Sequence, residues 1–226
     1  MREAKIEAFE NVLPADIERR SMEIIESELG DTSHLSPSQK AIVKRVIHTT
    51  ADFDYLQNLK FAPNAVELGL AALRGGAMIV TDTQMALSGI SKPALQALGG
   101  EACCFMADPE VAQIAKANGT TRAVASMDRA VERFADRRVI FAVGNAPTAL
   151  IRLRELFDEG KIFPALVIGT PVGFVNVVPS KQLIMQSKMP YIVAEGRKGG
   201  SNVAAAICNA LLYQLYDRAS GRGIKE

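Results

Sequence analysis

Residues 138–143, Arg-Val-Ile-Phe-Ala-Val, run directly into Gly144-Asn145-Ala146-Pro147-Thr148 and then into the helical pattern TALIRLRELFDEG, which closes at Gly160. The apolar run is short, β-branched and aromatic. It has no polar alternation, so both of its faces are buried, as in a strand of a parallel sheet. Pro147 suits the first position of the helix that follows. The same order of apolar run, polar turn and helix recurs at AMIVTD (77–82), ACCFMA (102–107), PALVIG (164–169) and PYIVAE (190–195). Asp108-Pro109 opens one intervening helix, and Ser201 is read as the N-cap of another, NVAAAICNALLYQLYD. Runs of this kind separated by helices argue an α/β fold. The expectation is a mainly parallel sheet of about five strands with helices on both faces, preceded by N-terminal helices, in a Rossmann-like arrangement.

Residues 1–60 hold no clear strand. One helix is expected from about Pro14 to Leu29, ended by Gly30. A second runs from Ser36 to about Thr50, with Ser36 and Gln39 as a capping box and Pro37 at N1. These helices read as a layer (1–60) on an α/β body (61–226), and no linker or repeat separates them, so the chain reads as one domain over 1–226. The tail RASGRGIKE is expected to fray.

Composition removes several classes. Lys+Arg are 26 and Asp+Glu 25, a net charge of +1, too small for a protein built around a basic nucleic-acid footprint. Trp is absent and aromatics are 6 %, which argues against base-stacking platforms. No apolar run approaches the roughly 20 residues of a membrane span. The opening MREAKIEAFENVL is amphipathic and acidic, without a signal-peptide core, so the expected location is cytoplasmic. Cys103, Cys104 and Cys208 read as small buried hydrophobes in a reducing compartment, the first two within a buried strand. With His34 and His48 as its only histidines and no CxxC or HExxH, the chain is expected to hold no metal.

In open parallel sheets ligands bind beyond the carboxyl ends of the strands. The loops expected there are Asp82–Gly89, Gly144–Thr148, Thr170–Asn176 and Gly196–Asn202, all rich in Gly, Asn, Ser and Thr. Backbone N–H groups at the helix starts could take anions. The loop Gly196-Arg197-Lys198-Gly199-Gly200-Ser201 reads as a carboxylate or phosphate cradle, or else as a turn whose cations face water. Neither GxxxxGK[ST] nor GxGxxG occurs, which argues against a P-loop and against a nicotinamide dinucleotide. No GxSxG nucleophile is present.

On a helical wheel Ile42, Val43, Val46, Ile47 and Thr50 share one face, and His48 lies opposite, near Lys44 in the last turn. His48 is therefore either a solvated histidine or a titratable proton donor, favoured as imidazolium by the helix C-terminus. Asp52 and Asp54 lie near enough in sequence to orient it. Arg122, at a helix start, either faces water or meets an anion. A rim of anion-binding loops with one acid–base candidate fits an isomerase or lyase acting on a polyanion.

Five segments, in order, are similar to one known family: RVIHTTADFD (45–54), TDTQM (81–85), VGNAPTAL (143–150), GTPVGFV (169–175) and GRKGGS (196–201). From about Ser21 to Leu215 the chain resembles precorrin-8X methylmutase, also called cobalt-precorrin-8 methylmutase, of cobalamin biosynthesis. The resemblance implies an isomerase that moves a methyl group between adjacent ring-C carbons of precorrin-8X or cobalt-precorrin-8 to give hydrogenobyrinate or cobyrinate. It implies His48 as the acid that protonates ring C. It implies Arg122 as a substrate-reaching arginine and Ser21 as a weaker contact. Thr83, Gln84, Arg197, Lys198 and Ser201 would hold the tetrapyrrole carboxylates by their side chains. Gly144, Asn145, Thr170, Gly173 and Gly199 would serve through the rim loops. A homodimer is implied, with no cofactor, and any cobalt belongs to the substrate. The rival within the same resemblance is a corrinoid-binding or channelling protein without turnover.

Overall fold

The computed structural model describes residues 9–218 and 220–223. A 3-10 turn, Pro14–Asp16, leads into α1 (Ile17–Glu28), followed by α2 (Pro37–Thr50) and α3 (Tyr55–Asn58). Then come β1 (Leu59–Phe61), α4 (Ala65–Arg74), β2 (Met78–Thr81), α5 (Gln84–Gly89), α6 (Lys92–Ala97) and β3 (Glu101–Cys103). The next segment is α7 (Pro109–Ala117), α8 (Arg122–Arg133), β4 (Val139–Val143), α9 (Pro147–Asp158) and β5 (Leu166–Gly169). The chain continues through α10 (Val177–Met185), β6 (Tyr191–Ala194) and α11 (Ser201–Leu212) to β7 (Tyr216–Asp217) and β8 (Arg222–Gly223).

The main sheet has six strands in the order β1-β6-β5-β4-β2-β3. The five expected strands are β2 to β6, and all their pairings are parallel. Alternate residues of these strands feed two cores. Ile79, Ile140, Ala142, Leu166, Ile168 and Ile192 pack with residues of α4 and α11 on one face. Val80, Val139, Phe141, Val143, Val167 and Val193 pack with α8, α9 and α10 on the other. Burial on both faces is why these strands read as unbroken apolar runs.

The N-terminal layer forms as its caps dictate. Ser36 Oγ accepts from the Gln39 amide at 3.3 Å, and Gln39 Oε1 accepts from the Ser36 amide at 2.9 Å. Ala51, with φ at 53°, ends α2 in the left-handed region. Ile42, Val43, Val46 and Ile47 are fully buried, and α2 packs along α11. α1 packs on α2, and the pairs Glu18–Arg45 (2.7 Å) and Glu26–Lys44 (2.8 Å) join the two helices.

Four local expectations are corrected. Residues 1–60 contribute to a strand, because β1 pairs antiparallel with β6 at the sheet edge. The run 102–107 is strand only through Cys103. β3 is the opposite edge, so Cys103 and Cys104 are half-buried. Ser201 is the first residue of α11 and Gly200 the cap position. Within the tail Arg222–Gly223 forms β8, which pairs antiparallel with β7 just before it, while Ala219 and residues 224–226 lie outside the described residues. Residues 1–8 of the acidic start also lie outside them.

Candidate active site

From β2 the chain steps outward to β3, then crosses back over β2 to β4. The topological switch therefore lies between the carboxyl ends of β2 and β4, where ligand crevices form in such sheets. Asp82, the residue after β2, fills this point and is fully buried. Its carboxylate accepts the amides of Gly144 (2.8 Å), Asn145 (2.9 Å) and Ala146 (2.6 Å). Burial pushes its carboxyl above the ordinary range, and the three amides pull the other way. The amides of Gly144 and Asn145 are thus already taken, so the expectation that they hold a substrate anion is corrected. Gly144 serves packing instead: a Cβ there would stand 2.6 Å from Ser201 Cα. The side chain of the exposed Asn145 remains open to a ligand.

The loops after β5 and β6 interlock. Thr170 is fully buried and its hydroxyl donates to the Val143 carbonyl at 3.3 Å, so it supports the rim from inside and does not face solvent. The Gly200 amide donates to the Thr170 carbonyl at 2.7 Å. Gly199 has φ at +158°, and a Cβ there would lie 2.1 Å from the Thr170 oxygen, so only glycine fits. The Gly173 amide donates to the Arg197 carbonyl at 3.1 Å. Beyond it Phe174 and Val175 are about four-fifths exposed, and the Arg197 guanidinium sits 5.3 Å from the Phe174 ring centre. Lys181, from α10, is fully buried beneath this loop. Its ammonium donates to the carbonyls of Gly196 (2.9 Å) and Lys198 (2.8 Å), and burial lowers its pKa to about 8.

His48 is exposed in the last turn of α2, off the apolar face as the wheel predicts. The two aspartates that follow do not serve it. Lys198 Nζ takes both Asp52 Oδ2 and Asp54 Oδ2 at 2.6 Å. That contact holds the Asp52 carboxyl below its ordinary range, against a smaller effect of burial. Lys44 faces Glu26 on α1. The Lys198 contact brings the end of the His48 helix to the loop that carries Arg197. His34 is exposed in the turn before α2.

The remaining candidates divide. Thr83 caps α5 by accepting the Ala86 amide at 3.0 Å, and its hydroxyl lies 2.7 Å from that of Ser201. This pair joins the β2 and β6 loops. Gln84 is exposed and its side-chain amide reaches the Cys104 carbonyl at 3.4 Å. Arg122 is exposed at the start of α8. Its neighbour Thr121 lies 3.0 Å from Thr148 Oγ1 at the start of α9, so Arg122 stands beside the β4 loop. Ser21 turns its hydroxyl to the Ile17 carbonyl within α1. Burial raises the Cys103 and Cys208 thiols to about 12, so neither is a thiolate at neutral pH.

Asp82 and Lys181 escape the sequence reading. Asp82 carries a signal in retrospect, a carboxylate directly after an unbroken buried run. Lys181 shares the 177, 181, 184 spacing of the buried Val177 and Ile184. A cavity of about 140 Å³ lined by Phe134, Val139, Phe141 and Phe163 lies at the other ends of β4 and β5, away from this rim. Among the described residues no group of three or more His, Cys, Asp or Glu side chains is arranged to hold a metal, and no helix is long and apolar enough to cross a membrane.

Comparison with known proteins adds to this geometry. The family model of precorrin-8X methylmutase matches residues 16–214. The cobalt-precorrin-8 methylmutase of Salmonella typhimurium is 47 % identical over 206 residues, covering 89 % of this chain and 96 % of the relative. The precorrin-8X methylmutase of Pseudomonas aeruginosa is 35 % identical over 197 residues, covering 86 % and 93 %. The crystal structure of the Thermus thermophilus precorrin-8X methylmutase superposes with a TM-score of 0.80 at 42 % identity, covering 88 % of this chain and 94 % of that one.

Proposed function

The chain belongs to the precorrin-8X methylmutase family, and we propose from that premise that it is an isomerase of cobalamin biosynthesis. It moves a methyl group between adjacent ring-C carbons of its corrin precursor, with no cofactor and no external methyl donor. The observation that carries the reading is the placement of His48. An exposed imidazole stands at the C-terminal end of α2, and the Lys198–Asp52 contact ties that end to the loop carrying Arg197.

His48 acts as the general acid. Proton transfer to ring C makes the conjugated system electron-poor and assists migration, an effect worth about 10²–10⁴-fold in rate. The substrate is a polyanion and the protein is nearly neutral, so recognition falls to local donors. With the Gly144 and Asn145 amides held by Asp82, the carboxylates meet side chains: Arg197 and Arg122 as cations, with Gln84, Asn145 and the Thr83–Ser201 hydroxyl pair as neutral donors. Lys198 joins them when an incoming carboxylate replaces Asp52 or Asp54. Thr170, Gly173 and Gly199 hold the loops that present these groups. Cobalt, where present, belongs to the substrate.

We read the chain as one unit, since a single core contains Ile42 of α2 and Ile168 of β5. We also propose a cytoplasmic homodimer. Met85, Val172, Phe174 and Val175 leave an apolar, open rim that a second copy and the macrocycle together would cover.

The test is anaerobic incubation with precorrin-8 and, separately, with its cobalt form, followed by visible spectroscopy. The expected result is conversion to the fully conjugated corrin chromophore, slowed about 10²–10⁴-fold in His48→Ala while the product still binds. No spectral change with either precursor would overturn the reading.

A further inference from the structure

Three successive carbonyls in the loop after β6 point inward. Those of Gly196 and Lys198 accept from Lys181 Nζ, and that of Arg197, between them, accepts from the Gly173 amide. Both donor groups, Lys181 Nζ and the Gly173 amide, come from the β5–α10 segment. The loop backbone is therefore clamped from below over the stretch that displays Arg197 and Lys198 outward. A lysine is an expensive residue to bury, and Lys181 has no carboxylate partner among the described residues. A neutral side chain of similar length would fill the space without carrying a charge into it. An ammonium supplies what a neutral chain cannot: several donors from one atom, aimed at two carbonyl dipoles.

We propose that Lys181 is a positioning residue for substrate recognition, fixing the Gly196–Lys198 backbone so that Arg197 and Lys198 meet the corrin carboxylates. Its role toward substrate rests on the reading given under Proposed function. Lys181 does not touch the substrate, and it acts through the loop it holds. Lys181 donates to the Gly196 and Lys198 carbonyls, and although the Lys198 tie to Asp52 and Asp54 loosens with the loop, α2 keeps its own packing on α11, so the proton donor His48 keeps its place when Lys181 is replaced.

The experiment pairs kinetics with hydrogen exchange in Lys181→Met, which keeps length and removes every donor. KM for the corrin precursor is expected to rise about tenfold or more while kcat stays within about twofold, since uniform binding is lost and the acid is untouched. Amide exchange is expected to accelerate in the peptide covering residues 195–200, with the α2 and β4 peptides unchanged. An unaltered KM, an equal loss in kcat, or exchange that rises evenly over the whole chain would overturn the proposal. If the Met variant does not fold, Lys181→Gln decides, because it keeps a donor for one carbonyl: an intermediate KM supports the role and a wild-type KM refutes it. Wild-type protein that converts neither precursor overturns the functional reading on which the proposal depends, while the exchange result still decides whether Lys181 is the anchor.

Discussion

The ammonium of Lys198 lies 2.6 Å from Oδ2 of Asp52, joining residues 146 positions apart in sequence. Asp54 takes the same ammonium at the same distance. The two aspartates that sequence proximity assigns to His48 are thus engaged elsewhere, and the helix carrying the acid is coupled to an anion-binding loop. The Lys198 contact holds Asp52 below its ordinary carboxylate value of 3.8. The share of the coupling that runs through Asp52 is therefore present above that pH and is lost as pH falls through the lowered value.

This contact is solvent-exposed, so it contributes to geometry more than to stability. Lys198→Ala is expected to raise KM by about tenfold through loss of one carboxylate contact. Asp52→Asn, which leaves Asp54 as the one carboxylate on the ammonium and so eases its transfer to the substrate, should leave KM at or below the wild-type value. Both variants should melt within error of the wild type. Initial rates at two salt concentrations check the pair, and a higher KM for Asp52→Asn than for Lys198→Ala would refute the assignment.

Asp82 satisfies three amides at the switch point, and each buried donor left unpaired costs about 1–3 kcal/mol. Asp82→Asn keeps one oxygen but turns an NH2 toward a donor, so a loss of roughly 1–3 kcal/mol is expected. Asp82→Ala should lose more, about 3 kcal/mol or above. Urea denaturation measures both. A loss below about 1 kcal/mol in the alanine variant would mean that water replaces the carboxylate.

Gly199 and Gly160 make a controlled comparison. Both have positive φ, but a Cβ at Gly199 meets the Thr170 oxygen at 2.1 Å, whereas one at Gly160 meets nothing within 4 Å. Gly160→Ala should cost only about 1 kcal/mol of backbone strain. Gly199→Ala should cost about 2 kcal/mol or more and weaken substrate binding, because the Arg197 loop must lift off β5. Equal melting temperatures for the two variants would contradict this.

Lys181 supplies a pH signature. Its pKa falls from 10.5 in the unfolded chain to about 8 in the folded one. Between these values the unfolded chain binds more protons, so stability rises with pH across this window. The effect is a few kcal/mol at most, at 1.36 kcal/mol per unit. The stability of wild type relative to Lys181→Met should therefore increase from pH 8 toward pH 10.5. A difference that stays flat over this range would show that Lys181 titrates normally.

Much of the architecture is legible in residues alone because its causes are local. Unbroken apolar runs mark β2, β4, β5 and β6, whose two faces are both covered. Ser36, Pro37 and Gln39 mark the start of α2 through contacts three residues apart. The position of His48 away from the buried face follows from the helical period. β1 is not legible, because Leu59-Lys60-Phe61 is too short to carry a pattern and becomes a strand only by borrowing the edge of β6. The early end of β3 is hidden for a related reason: ACCFMA is apolar throughout, and only its place at the sheet edge stops the pairing at Cys103.

The candidate site divides along the same line. Sequence alone determined which loops leave the carboxyl ends of the strands, which residues they carry, and that His48 stands free of the core. It did so because strand alternation, helical period and capping are set by neighbours along the chain. Only the tertiary structure decided how those residues are spent. Asp82 takes the amides of Gly144 and Asn145, Thr170 turns inward, Lys198 pairs with Asp52 and Asp54, and Lys181 holds the loop above it. Each of these choices joins segments distant in sequence, and a hydrogen bond depends on which donors and acceptors the folded sheet brings within 3 Å.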